Sequence, residues 1–153
     1  HPDDLNDCFL VITDRDDNGE VFRLAEQRHV LCNAVDDPAN CRFSFGSVHR
    51  QGDLTIAIST NGQAPAVAVR LRQKLQRDIG PEYAALLAML RVFRPVITKG
   101  IPEFSARRDL WYRIVDSSAL SHLRQGQIEA AAETICAMID EALAASNSLT
   151  SGD

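Results

Sequence analysis

Two short apolar runs open the chain. Residues 8–13 read CFLVIT and residues 29–35 read HVLCNAV. Continuous runs of this length suit parallel strands buried on both faces. Between them, DRDDNG at residues 14–19 is a loop with Asp and Asn available as caps, and residues 21–28 follow as a helix. Strand–helix–strand is the unit of an α/β sheet with right-handed crossovers. Asp36, Asp37 and Pro38 make a turn, residues 42–49 alternate loosely enough for a strand, and Gly52 sits in a further turn. Residues 54–59 (LTIAIS) form another strand, followed by the tight loop TNGQA and by Pro65, which fits the first turn of a helix. Val67, Leu71, Leu75 and Ile79 recur every four residues among basic neighbours, so residues 65–78 are expected to form an amphipathic helix.

The period changes after Gly80-Pro81. Residues 82–94 are helical in pattern, and Pro95 is expected to kink or end that helix. A break at Lys99 to Pro102 precedes helices over 104–115 and 127–145. Residues 146–153 (SNSLTSGD) have the composition of a disordered tail. The chain therefore has an α/β half to about residue 79 and an all-helical half after it, with no internal repeat.

Charge divides the same way. Net charge is −5, yet residues 1–20 carry seven acids against one Arg, and residues 66–113 carry ten Lys/Arg against four acids. The basic stretch either attracts a polyanion or is a set of solvated helix faces. It has too little aromatic interleaving for nucleic acid. No apolar run is long enough to span a bilayer and no signal peptide is present, so the expectation is a soluble, cytoplasmic protein. The four cysteines lack C-x-x-C spacing and read as reduced, buried small hydrophobes. His29, His49 and His122 have no metal-ligand spacing.

Three segments could carry chemistry. Asp36 follows the second strand directly, at the carboxyl edge where open α/β sheets bind ligands. It is either a general base or metal-binding carboxylate, or part of an Asx turn with Pro38. Thr13 and Asp14 end the first strand at the same edge. Ser59, Thr60, Asn61 and Gly62 lead into the helix at Pro65, a place that favours anions or simply caps the helix. Arg107, Arg108 and Trp111 make a basic-aromatic cluster explained by helix packing with a solvated face. No G-x-G-x-x-G cluster occurs among the 153 residues.

Three blocks, LCNAVDDPANCRF (31–43), GDLTIAISTNGQAPAVAVRLRQKL (52–75) and RRDLWYRIVDS (107–117), resemble in order the precorrin-2 dehydrogenase / sirohydrochlorin ferrochelatase family, the N-terminal module of siroheme synthase. The resemblance implies an α/β fold: the C-terminal part of a Rossmann-like NAD-binding domain (residues 1–50), a central α/β segment (51–79) and an all-helical dimerisation domain (80–145). It implies NAD-dependent oxidation of precorrin-2 to sirohydrochlorin and, in some members, Fe²⁺ insertion to give siroheme.

By residue, the resemblance makes Asp36 catalytic, Thr13 and Asp14 contacts to NAD, and Ser59, Thr60, Asn61 and Gly62 the substrate loop. Thr60 stands where some members carry a phosphorylatable serine. The family's Gly-Gly there reads Asn61-Gly62, and its A-T-D-D run is shortened to Ile12-Thr13-Asp14. The partners implied are a tetrapyrrole and a second copy of the chain. The family places its glycine-rich segment ahead of the residue matching His1, so the expectation is a single-module form lacking that part, with weak NAD affinity. The alternative is a non-catalytic dimerisation or tetrapyrrole-binding fragment of such an enzyme.

Overall fold

The structure, a computed structural model, describes residues 2–150. The chain forms two compact units, one of residues 1–48 and 57–73, the other of residues 49–56 and 74–153.

The first unit contains β1 (Leu10–Thr13), α1 (Asn18–Gln27) and β2 (Leu31–Ala34). The strands are parallel, with Leu10 opposite Leu31 and Thr13 opposite Ala34. Alternation turns Val11 and Cys32 to one face, where they pack with Leu5, Ala25 and Val30. Leu10, Ile12 and Leu31 occupy the other face and are 45%, 52% and 39% exposed. The expected burial on both faces is therefore only partly realised: α1 covers one side of the two-stranded sheet, and on the other Asn33 is buried, its Nδ2 donating to the Phe43 carbonyl at 2.7 Å, while the apolar residues stay exposed. β1 also starts at Leu10 rather than residue 8, which leaves Cys8 exposed. Among the free thiols only Cys32 is buried; Cys41 is half-buried and Cys136 is exposed, so the buried-hydrophobe reading holds for Cys32 alone.

β3 (Ser47–Gln51) and β4 (Leu54–Ile58) pair as a separate two-stranded sheet. Gly52, at φ 56°, turns the chain between them in a conformation that glycine adopts without a Cβ penalty. The strand expected over 42–49 thus begins five residues later. Its first residues are diverted: the Arg42 amide donates to the Cys32 carbonyl at 2.7 Å, and its guanidinium pairs with Glu26.

α2 (Pro65–Asp78) has the expected limits, but Val67 and Leu71 are 50% and 45% exposed, and Ala68 is its buried residue. The inward side passes through Ala68 and half-buried Arg72, whose guanidinium donates to Ser47 Oγ at 3.1 Å. The apolar period shows that a helix forms; it does not tell which side faces inward when the apolar residues outnumber the buried positions.

In the second unit, α3 (Pro81–Gly100), α4 (Phe104–Val115), α5 (Ala119–Arg124) and α6 (Ile128–Thr150) surround one core. Ile97, Leu110, Ile114 and Ile135 are its largest fully buried side chains apart from Ile101. α3 runs through Pro95 instead of ending there. Pro95 and Arg91 are both exposed, so the carbonyl that loses its N–H partner meets water, which lowers the cost of the proline. α6 extends to Thr150, so residues 146–150 are helical rather than disordered, and Ser148 Oγ donates to the Ala145 carbonyl at 2.8 Å. Residues 151–153 of that expected tail lie outside the described residues. An established helix adds residues at little cost, even polar ones.

Glu103 caps α4. Its carboxylate accepts from the Ser105 hydroxyl and from the Ala106 amide, the latter at 2.6 Å. The Ser105 hydroxyl, then the Ala106 and Ser105 amides, pull its pKa down to about 2. The folded pKa is below the unfolded value of 4.5, so the cap stabilises fully above that value and is lost as pH falls through about 2. The difference in melting temperature between wild type and Glu103→Ala should be constant above pH 4.5 and shrink below it. A difference that grows on acidification would contradict the cap.

Candidate functional site at the carboxyl edge of the parallel strands

β1 and β2 end side by side. The Val35 amide donates to the Thr13 carbonyl at 2.8 Å, continuing the parallel pairing one step past the strands. The segments leaving both strands, residues 14–18 and 35–37, line one open cleft of about 780 Å³. Its charged groups are Asp14, Asp16, Asp17, Asp36 and Asp37 against Arg15 alone. Arg15 donates to Asp17 at 2.7 Å; this bond holds the Asp17 carboxyl below its usual range and the guanidinium above its own. The cleft therefore carries a surplus of negative charge.

Asp36 stands in the left-handed region at φ 56°. That conformation is uncommon for a residue with a side chain, and such strain gathers at functional sites. It is held from both sides, by the Val35 bond and by the Asp37 amide donating to the Ala34 carbonyl at 3.2 Å. The exposed Asp36 carboxylate has no hydrogen-bond or ion-pair partner among the described residues. Its neighbour differs: Asp37 accepts from Asn40 Nδ2 at 2.6 Å and closes the turn before Cys41. Of two adjacent aspartates, one builds the turn and the other is left available for chemistry.

Asp14 lines the cleft, whereas Thr13 does not. The Thr13 side chain is buried, and its hydroxyl donates to Asn18 Oδ1 at 3.0 Å. The same oxygen accepts the Arg15 amide at 3.1 Å. Asn18, the first residue of α1, thus ties the loop after β1, a role that reading this Asn only as an available helix cap leaves out. Replacing Asn18 with Ala strands the Thr13 hydroxyl and should cost about 1–3 kcal/mol in urea unfolding. A loss near zero would show that water replaces the bond. Cys41 is the second missed residue: its thiol donates to the Ala34 carbonyl at 3.1 Å and accepts the Ala34 amide at 3.3 Å, bracing the end of β2.

The loop of Ser59, Thr60, Asn61 and Gly62 is not part of the cleft lining. Ser59 Oγ accepts the Asn61 amide at 3.2 Å and Thr60 Oγ1 accepts the Ala64 amide at 3.3 Å. Both hydroxyls therefore shape the loop while each keeps its own O–H to donate. Asn61 and Gly62 are consecutive left-handed residues, at φ 50° and 76°. Among the described residues, no group of three or more His, Cys, Asp or Glu is placed to hold a metal ion.

Three family models match successive parts of the chain. A putative NAD(P)-binding family matches residues 1–47. The sirohaem biosynthesis protein central family matches residues 51–78, and the sirohaem synthase dimerisation region matches residues 82–139. The chain carries a sirohaem biosynthesis central region and a sirohaem synthase dimerisation region behind a putative NAD(P)-binding region. The siroheme synthase of Pseudoalteromonas translucida is 34% identical over 89% of this chain and 29% of its own length. Siroheme synthase 1 of Pectobacterium atrosepticum is 37% identical over 85% of this chain and 28% of its own length. The chain thus spans less than a third of these relatives. Among solved structures, the precorrin-2 dehydrogenase SirC superposes with a TM-score of 0.62 at 19% identity, over 92% of this chain and 67% of that one. The fold is accordingly mixed α/β, with part of a Rossmann-like NAD-binding region followed by a helical C-terminal region. No described helix is long and apolar enough to cross a membrane.

Proposed function

We propose that this chain handles the tetrapyrrole in siroheme biosynthesis, as part of an NAD-dependent precorrin-2 dehydrogenase in the cytoplasm that also inserts Fe²⁺. The observation that carries the proposal is the unpartnered Asp36 carboxylate, held in a left-handed conformation at the carboxyl edge of the sheet. The residues here suit one end of NAD. Carboxylates such as Asp14 can accept from ribose hydroxyls, while an acidic edge whose single Arg is already paired gives the diphosphate no counter-charge. That part of the cofactor would need a glycine-rich turn of the kind these 153 residues lack.

When bound, NAD supplies a hydride acceptor. Asp36 takes the proton that leaves the substrate with the hydride, so two electrons and two hydrogens depart together. In metal insertion the same carboxylate accepts protons from the pyrrole nitrogens as Fe²⁺ replaces them. The Ser59 and Thr60 hydroxyls donate to substrate carboxylates, and Asn61 and Gly62 give the loop its shape. The reading is tested by grafting this chain in place of the matching segment of the Pseudoalteromonas translucida siroheme synthase and following NADH formation from precorrin-2. Turnover is expected. A graft that folds and binds NAD yet does not oxidise precorrin-2 would sink the proposal.

A second reading, a non-catalytic dimerisation or tetrapyrrole-binding piece, is favoured by the match to the dimerisation region. Val92 and Val96, 71% and 52% exposed on one side of α3, offer an apolar stripe for a second copy. Both readings expect a homodimer in sedimentation. They differ in the graft, which the second reading expects to be inactive.

A further inference from the structure

The Asp36 carboxylate has no partner among the described residues, so its backbone alone fixes where it points. That backbone is left-handed, at φ 56°. Such a conformation persists where the surroundings over-determine it. Two backbone bonds hold the turn, from the Val35 amide to Thr13 and from the Asp37 amide to Ala34.

The other edge of β2 supplies a third support. The Leu31 and Val35 amides donate toward β1, to the Phe9 and Thr13 carbonyls. Backbone groups alternate along a strand, so those of Cys32 and Ala34 face the opposite edge. Ala34 is buried, and its amide and carbonyl therefore need partners. Residues 41–43 return along this edge. The Arg42 amide reaches the Cys32 carbonyl at 2.7 Å, and Asn33 Nδ2 donates to the Phe43 carbonyl at 2.7 Å. At Ala34 the partner is a side chain, that of Cys41. Its sulfur accepts the Ala34 amide at 3.3 Å, and its S–H faces two carbonyls, that of Ala34 at 3.1 Å and that of Asp37 at 3.3 Å. Asn33 Nδ2 lies 3.6 Å from the same sulfur.

One atom thus touches the residue two positions before Asp36 and the residue just after it. A thiol has a single proton to donate, shared here between the two carbonyls that bound the turn. Cys41 is not part of the cleft lining, so any effect it has on chemistry passes through the turn. We propose that Cys41 is a positioning residue for Asp36: its sulfur stands in for a neighbouring strand at Ala34 and clamps the turn that aims the carboxylate. The proposal rests on the reading of Asp36 as the proton acceptor. A reacting group displaced by about 1 Å can lose about a hundredfold in rate, so the clamp acts on kcat rather than on binding.

The test has two arms. The first follows amide hydrogen exchange by NMR in the whole chain, without NAD or substrate. In Cys41→Ala the Ala34 and Asp37 amides should exchange at least about tenfold faster, with the Leu31 amide on the β1 side unchanged. Cys41→Ser keeps a donor and an acceptor in place and should restore most of the protection. The second arm uses the grafted enzyme. Cys41→Ala should lower kcat by about ten- to a hundredfold and leave KM within about twofold, and Cys41→Ser should recover most of kcat. Combined with Asp36→Asn, Cys41→Ala should add no further loss, because both act at one carboxylate. Losses that multiply would make Cys41 an independent structural residue and overturn the proposal. Equal exchange in wild type and Cys41→Ala would overturn it too. Should Cys41→Ala fail to fold, Cys41→Val, which keeps the bulk without the hydrogen bonds, takes its place with the same expected results. A graft inactive with Cys41 intact counts against the dehydrogenase reading, and the exchange arm then decides the clamp by itself.

Discussion

Changing Asp36 to asparagine should lower precorrin-2 oxidation by the grafted enzyme by about a hundred- to ten-thousand-fold, the usual range for removing a general base. Asparagine keeps the size of the side chain and tolerates the left-handed backbone nearly as well as aspartate, so φ 56° need not change. No hydrogen bond is lost, because the carboxylate has no partner among the described residues. Melting temperature should therefore stay within a degree or two of wild type, as for exposed substitutions generally. The loss should appear in kcat, with KM little altered, since the proton leaves during the chemical step. Fe²⁺ insertion into sirohydrochlorin should fall in parallel if one carboxylate serves both reactions. The control is Asp37→Asn. That residue holds Asn40 in the turn, so its loss should act on stability more than on kcat. If Asp36→Asn retains wild-type turnover, Asp36 is not the proton acceptor, and the left-handed turn is structural only.

The second large effect is on stability. Ile135→Ala should cost about 2–5 kcal/mol in urea unfolding, the range for truncating a fully buried branched side chain. Ile135 is 0% exposed on α6 and belongs to the same core as Ile97, Leu110 and Ile114, contributed by α3 and α4. Removing it opens a cavity among three helices, and none can move in to fill it without disturbing the other two. Ile128→Ala, on the same helix but 56% exposed, should change stability by less than about 0.5 kcal/mol. Equal effects at the two positions would mean that the four-helix core is not packed as described.

Much of the helical structure could be read from the chain. The limits of α2 and α4 follow from Pro65, the i,i+4 apolar spacing and the Lys99–Pro102 break, because proline and glycine act on the backbone locally. Pro95 misled for the same reason. Its local effect is real, but its cost depends on whether the freed carbonyl meets water, and that is a tertiary fact. α5 has only six residues, too few to show a period. At the candidate site, the place of Asp36 just after a strand was visible, since the run LCNAV ends there. Its left-handed backbone and free carboxylate were not, and neither was the burial of the Thr13 hydroxyl under Asn18.

By itself the sequence determined which segments become strands or helices in outline, the acidic and basic halves, and the order of three family blocks, because these depend on neighbours in the chain. Tertiary structure decided what depends on distant neighbours. It turned Ala68 rather than Val67 inward on α2 and left Leu10, Ile12 and Leu31 exposed on one face of the β1–β2 sheet. It gathered Asp14, Asp36 and their neighbours into one acidic cleft while the Ser59 loop stayed out of its lining. It also set Arg94 and Trp111, 17 positions apart, on the walls of one groove. Burial and charge pairing are properties of packed surfaces, and a one-dimensional pattern records only which residues are available to form them.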